Sequence, residues 1–215
     1  MDDATNHLSS TATPPSSHQH PLTIRPVRNP KDLSTTISLF KTYTNALGID
    51  LSYQDFDKEL ASMPGAYSPP HGELLLAVRN RGTSHSNDND NDDGKNEEVV
   101  GCIALRPLYL TPNPNPAATG LTSTSTSTPF PTPPTPHSEL KRLYVTPSAR
   151  GLGVGKALVN AMLMVAREKG YGQVYLDTLL SMKEAIRMYK GMGFEEVEKY
   201  YEAAREGTVF LGLRL

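Results

Sequence analysis

Arg150-Gly151-Leu152-Gly153-Val154-Gly155-Lys156 brings three glycines and two cations into seven residues. Glycines let the backbone turn so that several N–H groups converge at a helix start, where the dipole favours an anion. A diphosphate is the natural guest. Two nucleotide-binding patterns use the same device, and both fail here on spacing. Ala157 follows Lys156 where a P-loop needs Ser or Thr for magnesium, and Lys156 stands where the dinucleotide fingerprint has its third glycine.

The flanking residues predict the elements that must position this loop. Glu139 to Val145 alternates with the period of a strand, and Pro147 closes it. Ala157, Leu158, Ala161, Met162 and Val165 then recur at helical spacing, ending on Lys169-Gly170. Val174-Tyr175-Leu176 is a second strand, followed by Asp177-Thr178. Ser181-Met182-Lys183-Glu184 is a capping box that should open a short helix carrying Ala185 and Tyr189. Gly193-Phe194 ends the segment.

Arg150-x-x-Gly153-x-Gly155, with Ala185-x-x-x-Tyr189 and Gly193-Phe194 behind it in order, resembles the coenzyme A loop, helix and turn of the GNAT (Gcn5-related) N-acetyltransferases. The match covers about the last third of the chain. Leu51-Ser52-Tyr53-Gln54-Asp55-Phe56, Pro64-Gly65-x-Tyr67 and Leu176-Asp177-Thr178 extend it toward a group of microbial and fungal members. The resemblance implies an α/β (α+β) GNAT fold: a mixed, mostly antiparallel sheet of six to seven strands with about four helices. It implies acetyl transfer from acetyl-CoA, as co-substrate, to a small-molecule or peptide amine by direct attack in a ternary complex. A GNAT fold that only holds acyl-CoA and regulates is the alternative.

By the same resemblance, Tyr189 stands where the family's phenol acid stands, and Glu139 is in the strand that often supplies a base. The pyrophosphate would rest on Arg150, Gly151, Leu152, Gly153, Val154, Gly155 and Lys156. Main-chain groups of Leu143, Tyr144 and Val145 would hold the pantetheine and carbonyl. Ser181 would replace an asparagine that family members often carry where this chain has Met182. Asp50, Asp55 and Asp57, in the segment that walls the family's acceptor pocket, could hold a cationic amine. The sequence does not give the oligomeric state; dimers are common in the family, so the resemblance allows a homodimer.

Upstream, Thr23 to Val27 alternates as a first strand, where the acetyltransferase domain, residues 22–215, should begin. Asn29-Pro30-Lys31-Asp32 reads as an N-cap, a proline at the first helical position and an acid in the first turn. Leu33, Ile37, Phe40, Tyr43 and Leu47 then share a helical face up to Gly48. Residues 50–60 look like a second short helix. Glu73 to Val78 and Val99 to Leu105 are apolar runs suited to strands covered on both faces. Thr208 to Leu215 alternates as a closing strand.

Composition limits the remaining options. With 37% hydrophobic residues there is material for one ordinary domain, while the 18 prolines and the Ser/Thr/Asn runs collect elsewhere. Residues 1–20 and two inserts, 82–98 and 111–138, are too polar to bury and are expected to be disordered. A net charge of -2 gives no general pull toward nucleic acid or an anionic membrane. Cys102, the single cysteine, has no disulfide partner. The first twenty residues have no cationic or apolar character of a leader, and no run reaches the roughly 20 apolar residues of a membrane helix, so a cytoplasmic or nuclear setting is expected. No metal is expected: His18 and His20 lie in a polar tail, and the Asn89 to Val100 run lacks the first and last acids of a calcium loop.

Overall fold

The computed structural model describes residues 21–48, 55–80, 97–110 and 136–215. The N-terminal tail, Asp50 and most of both inserts lie outside the described residues. Among the described residues the chain folds into seven strands and four helices. In order these are β1 (Leu22–Pro26), α1 (Pro30–Leu47), α2 (Phe56–Ala61), β2 (Glu73–Asn80), β3 (Glu97–Leu108), β4 (His137–Val145), α3 (Val154–Glu168), β5 (Gln173–Leu179), α4 (Lys183–Lys190), β6 (Glu195–Glu196) and β7 (Thr208–Arg214).

One sheet holds every strand, in the order β1-β2-β3-β4-β5-β7-β6. All neighbours are antiparallel except β4 and β5. The apolar runs expected of doubly covered strands pack on both faces. Leu75, Ile103, Leu105, Leu140, Val174 and Leu176 meet Leu158, Val159 and Met162 of α3 on one face. Leu74, Leu76, Val78, Cys102 and Ala104 meet Phe40 of α1 and Phe56 of α2 on the other. Cys102 is wholly buried there, and burial pushes its thiol up, so it is a packing residue.

The local signals of α1 are realised. Asn29 Oδ1 accepts from the Asp32 amide at 2.8 Å, Pro30 opens the helix, and Gly48 closes it at φ 62. Leu33, Tyr43 and Leu47 pack on the Phe40 cluster, while Ile37 stays half-buried outside it. Two insert boundaries move. Glu97 and Glu98 already belong to β3, tied by Arg25 and Arg79 at 2.6 and 2.8 Å, and His137 and Ser138 open β4.

Two departures shape the site. The first is a bulge in β4: Cys102 pairs with Tyr144 but Ala104 pairs with Lys141, so Arg142 and Leu143 together oppose Ile103. Arg142 takes the left-handed φ of 57° that the extra residue demands. The bulge reverses the alternation. Glu139 and Lys141 therefore do not share a face with Leu143 and Val145, as strict alternation predicts; the latter two pack on the α3 side. The second departure is at α4, whose N-cap is Met182 with no side-chain cap. Starting one residue late puts Glu184 out of reach of a box with Ser181, and it pairs with Arg187 at 2.7 Å instead.

Candidate active site

The parallel pairing of β4 with β5 covers only His137–Glu139 against Gln173–Tyr175. Beyond it the two strands share no rungs, and a small chamber of about 80 Å³ occupies the wedge, walled by Leu140 to Leu143, Leu176 to Leu179, Tyr43, Met182, Ala185 and Tyr189. A groove of about 810 Å³, within the range of ligand sites, adjoins it. Tyr43, Leu47, Leu143, Met182 and Ala185 line both spaces, so the two communicate.

The groove gathers most of the residues singled out in the sequence. Leu143, Tyr144, Val145, Arg150, Gly151, Gly153, Val154, Gly155, Lys156 and Ser181 all line it. Leu152 does not, and is 63% exposed. Gly151 and Gly153 adopt φ of 77° and 78°, which bends the chain into α3. Gly153 is the N-cap of α3 and no side chain caps it, so the first-turn N–H donors face the groove without an internal substitute. Arg150 adds a guanidinium, steadied by Nε donating to the Val145 carbonyl at 3.2 Å.

Tyr189 reaches the chamber from α4, buried and packed edge-on against Phe194. Burial first, then the neighbouring Tyr43 and Asp177, pushes its hydroxyl above the ordinary tyrosine range. It is therefore a neutral phenol at physiological pH, able to give a proton.

Glu139 sits differently from a solvated strand-end acid. It is 1% exposed and lies off the walls of both spaces. Arg106 grips its Oε2 from Nε at 2.8 Å and Nη2 at 2.7 Å, and the Tyr200 hydroxyl donates to Oε1 at 2.8 Å. Lys141 is 3.7 Å from Oε1 and 2.7 Å from Oδ1 of Asp177. Tyr201 donates to the other oxygen of Asp177 at 3.0 Å. Burial alone would raise the Asp177 carboxyl, but Lys141 and then Tyr201 hold it below the usual carboxylate range.

A third carboxylate completes this layer. Glu59 of α2 takes Arg142 Nε at 2.9 Å and the Tyr67 hydroxyl at 2.8 Å. Burial again opposes ionisation, and Arg142 overcomes it. Sequence reasoning missed Glu59, Arg106, Tyr200 and Tyr201, and read Asp177 only as the end of a strand. Alternation along β5 was the available signal, since it sets Asp177 on the face opposite Leu176. Of the acids proposed for an acceptor, Asp55 pairs with Lys58 at 2.7 Å and Asp57 is exposed; neither lines the chamber. Among the described residues no group of three His, Cys, Asp or Glu side chains could hold a metal ion, and no helix is long and apolar enough to cross a membrane.

A splayed parallel strand pair beside an uncapped glycine-rich helix start offers main-chain donors to an anionic ligand along the groove. The family model described as "Acetyltransferase (GNAT) family" matches residues 56–194, and the chain belongs to that family. An uncharacterised N-acetyltransferase of Schizosaccharomyces pombe is 31% identical over 194 residues, covering 90% of this chain and 95% of the relative. One from Dictyostelium discoideum is also 31% identical, covering 82% and 92%. A Streptococcus agalactiae acetyltransferase structure shares the fold at a TM-score of 0.59 with 18% identity, covering 90% of this chain and 98% of its own. Arabidopsis thaliana NAA60 in complex with acetyl-CoA shares it at 0.58 with 19% identity, covering 91% and 99%.

Proposed function

We propose that this protein transfers the acetyl group of acetyl-CoA to a primary amine, small-molecule or peptide, by direct attack with both substrates bound. The observation that carries the reading is the junction between the glycine-lined groove and the chamber holding Tyr189. A diphosphate on the α3 amides would leave a thioester arm free to follow Leu143 and Val145 toward that chamber. The names of the two long-range relatives point the same way.

The donor supplies an activated acetyl thioester. The chain's own parts divide the remaining tasks. N–H groups from Gly151 to Lys156 fix the diphosphate, with the Arg150 and Lys156 side chains adding charge. Backbone donors freed by the gap between β4 and β5 polarise the carbonyl without a side chain. Tyr189 gives a proton to the departing sulfur, and Ser181 lies on the groove wall within the arm's path. The chamber is small enough that only the amine-bearing tip of an acceptor enters.

The test is thiol release from acetyl-CoA with methylamine, spermidine, lysine, glycinamide and an alanyl peptide as acceptors. Turnover on one class, reduced about 100-fold in kcat by Tyr189→Phe with acetyl-CoA affinity kept, is the expected result. An unchanged kcat in that variant removes Tyr189 from the mechanism. Silence on every acceptor, with acetyl-CoA still bound in calorimetry, overturns acetyl transfer.

A further inference from the structure

Two carboxylates stand behind the wedge between β4 and β5, and only one is on its wall. Asp177 lines the chamber together with Lys141, Tyr43 and Tyr189, whereas Glu139 is shut behind Arg106 and Tyr200. An acceptor nitrogen that reaches the chamber comes against the wall that carries Asp177, which Lys141 and Tyr201 hold in place, whereas Glu139 lies off that wall behind Arg106. We infer that Asp177 is the catalytic base that takes the proton of the attacking amine, with Lys141 and Tyr201 as positioning residues and Glu139 serving to place Lys141. This rests on the acetyl-transfer reading above.

The proton balance closes within the chamber. The acceptor enters as a free amine, and its nitrogen forms the bond to the carbonyl carbon while the carbon–sulfur bond breaks. As that bond forms the nitrogen proton becomes acidic, and Asp177 takes it. Tyr189 gives its hydroxyl proton to sulfur, and the proton on Asp177 then restores Tyr189, so enzyme and charge return to the start. A carboxylate can do this only if it is ionised, and the groups around Asp177 favour that state. Lys141 and Arg142 face it from β4, and Tyr200 and Tyr201 from the segment before β7. Tyr189 faces it from α4, Tyr43 of α1 shares the chamber, and its partner on β7 is the apolar Phe210. Adjacent tyrosines thus pin adjacent-strand carboxylates: Tyr200 holds Glu139 and Tyr201 holds Asp177.

The experiment compares Asp177→Asn, Glu139→Gln and Tyr201→Phe in the full chain, using the amine panel above and acetyl-CoA titration. Asp177→Asn should lose about 100-fold or more in kcat with acetyl-CoA affinity within about twofold, because the groove is untouched. Glu139→Gln should lose less than about tenfold. Asp177→Gly should recover activity with added formate in proportion to its concentration, a rescue that a purely structural role would not produce. Asp177→Asn within about threefold of the parent, or a larger loss from Glu139→Gln, overturns the assignment. Where Asp177→Asn does not melt cooperatively, Tyr201→Phe decides, since it leaves the Lys141 pair intact. A fall of about fivefold or more in kcat at unchanged acetyl-CoA KM supports the role, and no fall refutes it. A parent protein silent on the whole panel removes the acetyl-transfer reading and this inference with it, whereas an active parent with an equally active Asp177→Asn removes only the inference.

Discussion

Glu59→Gln removes one negative charge from the layer behind the chamber at almost no change in shape. Glu59 lies in the six-residue α2, and the guanidinium it holds, Arg142, has a side chain only 3% exposed. An exposed ion pair would be worth at most about 1 kcal/mol. Breaking a buried one by removing a single partner costs about 3–5 kcal/mol, because arginine cannot shed its proton and loses its charged acceptor. Arg142 also lies 4.9 Å over the Phe56 ring, but that contact persists in the variant and cannot offset the loss. At about 2–4 °C per kcal/mol for a chain of this size, the melting midpoint should fall by about 6–20 °C in a thermal scan. The protein should remain folded at 25 °C, given the usual 5–15 kcal/mol or so of domain stability. Arg142 occupies the left-handed position of the β4 bulge, so its release should loosen the chamber wall and lower kcat/KM for the acceptor by about tenfold or more. Acetyl-CoA affinity, set in the groove, should hold within about twofold. Joint replacement, Glu59→Leu with Arg142→Met, should recover most of the lost stability, as apolar replacement of buried pairs often does. A midpoint drop below about 2 °C for Glu59→Gln would refute the claim that this buried pair carries a large share of the stability.

The loop and the acid limb give two further expectations. At Gly153 an added Cβ would meet nothing within 4 Å, but φ is 78°, so Gly153→Ala should cost about 1–2 kcal/mol of stability through backbone strain alone. Gly153→Glu should share that cost and also weaken acetyl-CoA binding by about 30-fold or more at low salt, less at high salt; equal affinities for the two variants would sink the diphosphate assignment. Burial would raise the carboxyls of Glu59, Glu73 and Asp177, but Arg142, Arg28 and Lys141 respectively bring each below its ordinary value. Groups depressed in the folded state contribute stability above their unfolded pKa and lose it as pH falls through the folded one. These three pairings should therefore make the melting midpoint decline below about pH 4, and a midpoint that rises on acidification through that range would contradict them.

What was legible in the sequence was decided within a few residues. The Asn29 cap with Pro30, the Gly48 stop and the glycines that turn into α3 each rest on torsional preferences that a short window contains. The bulge at Arg142 was not, because a single extra residue reverses every later side chain of β4 and no glycine or asparagine marks it. Ser181 to Glu184 had the composition of a capping box, yet the turn after β5, with the Met182 amide donating to the Leu179 carbonyl at 2.8 Å, starts the helix one residue later. The charge layer joins residues 83, 36 and 33 positions apart in Glu59 with Arg142, Lys141 with Asp177 and Arg106 with Glu139. Only the assembled sheet brings them together.

This division separates the two halves of the site by the kind of group that builds them. On the proposed reaction the donor half would be made largely of main-chain amides at a helix start, which any sequence with the right glycines can offer. On the same reading the acceptor half would be made of side chains from α1, α2, β3, β4, β5, α4 and the segment before β7. Among the described residues, Glu59, Glu139 and Asp177 pair with Arg142, Arg106 and Lys141 respectively. An ammonium brought into that balanced layer would be a fourth cation with no carboxylate of its own, and burying it would cost several kcal/mol. A free amine carries no such penalty. If Asp177 is the base inferred above, the charge balance would select the deprotonated acceptor before any base acts, and leave Asp177 only the proton that becomes acidic as the new bond forms.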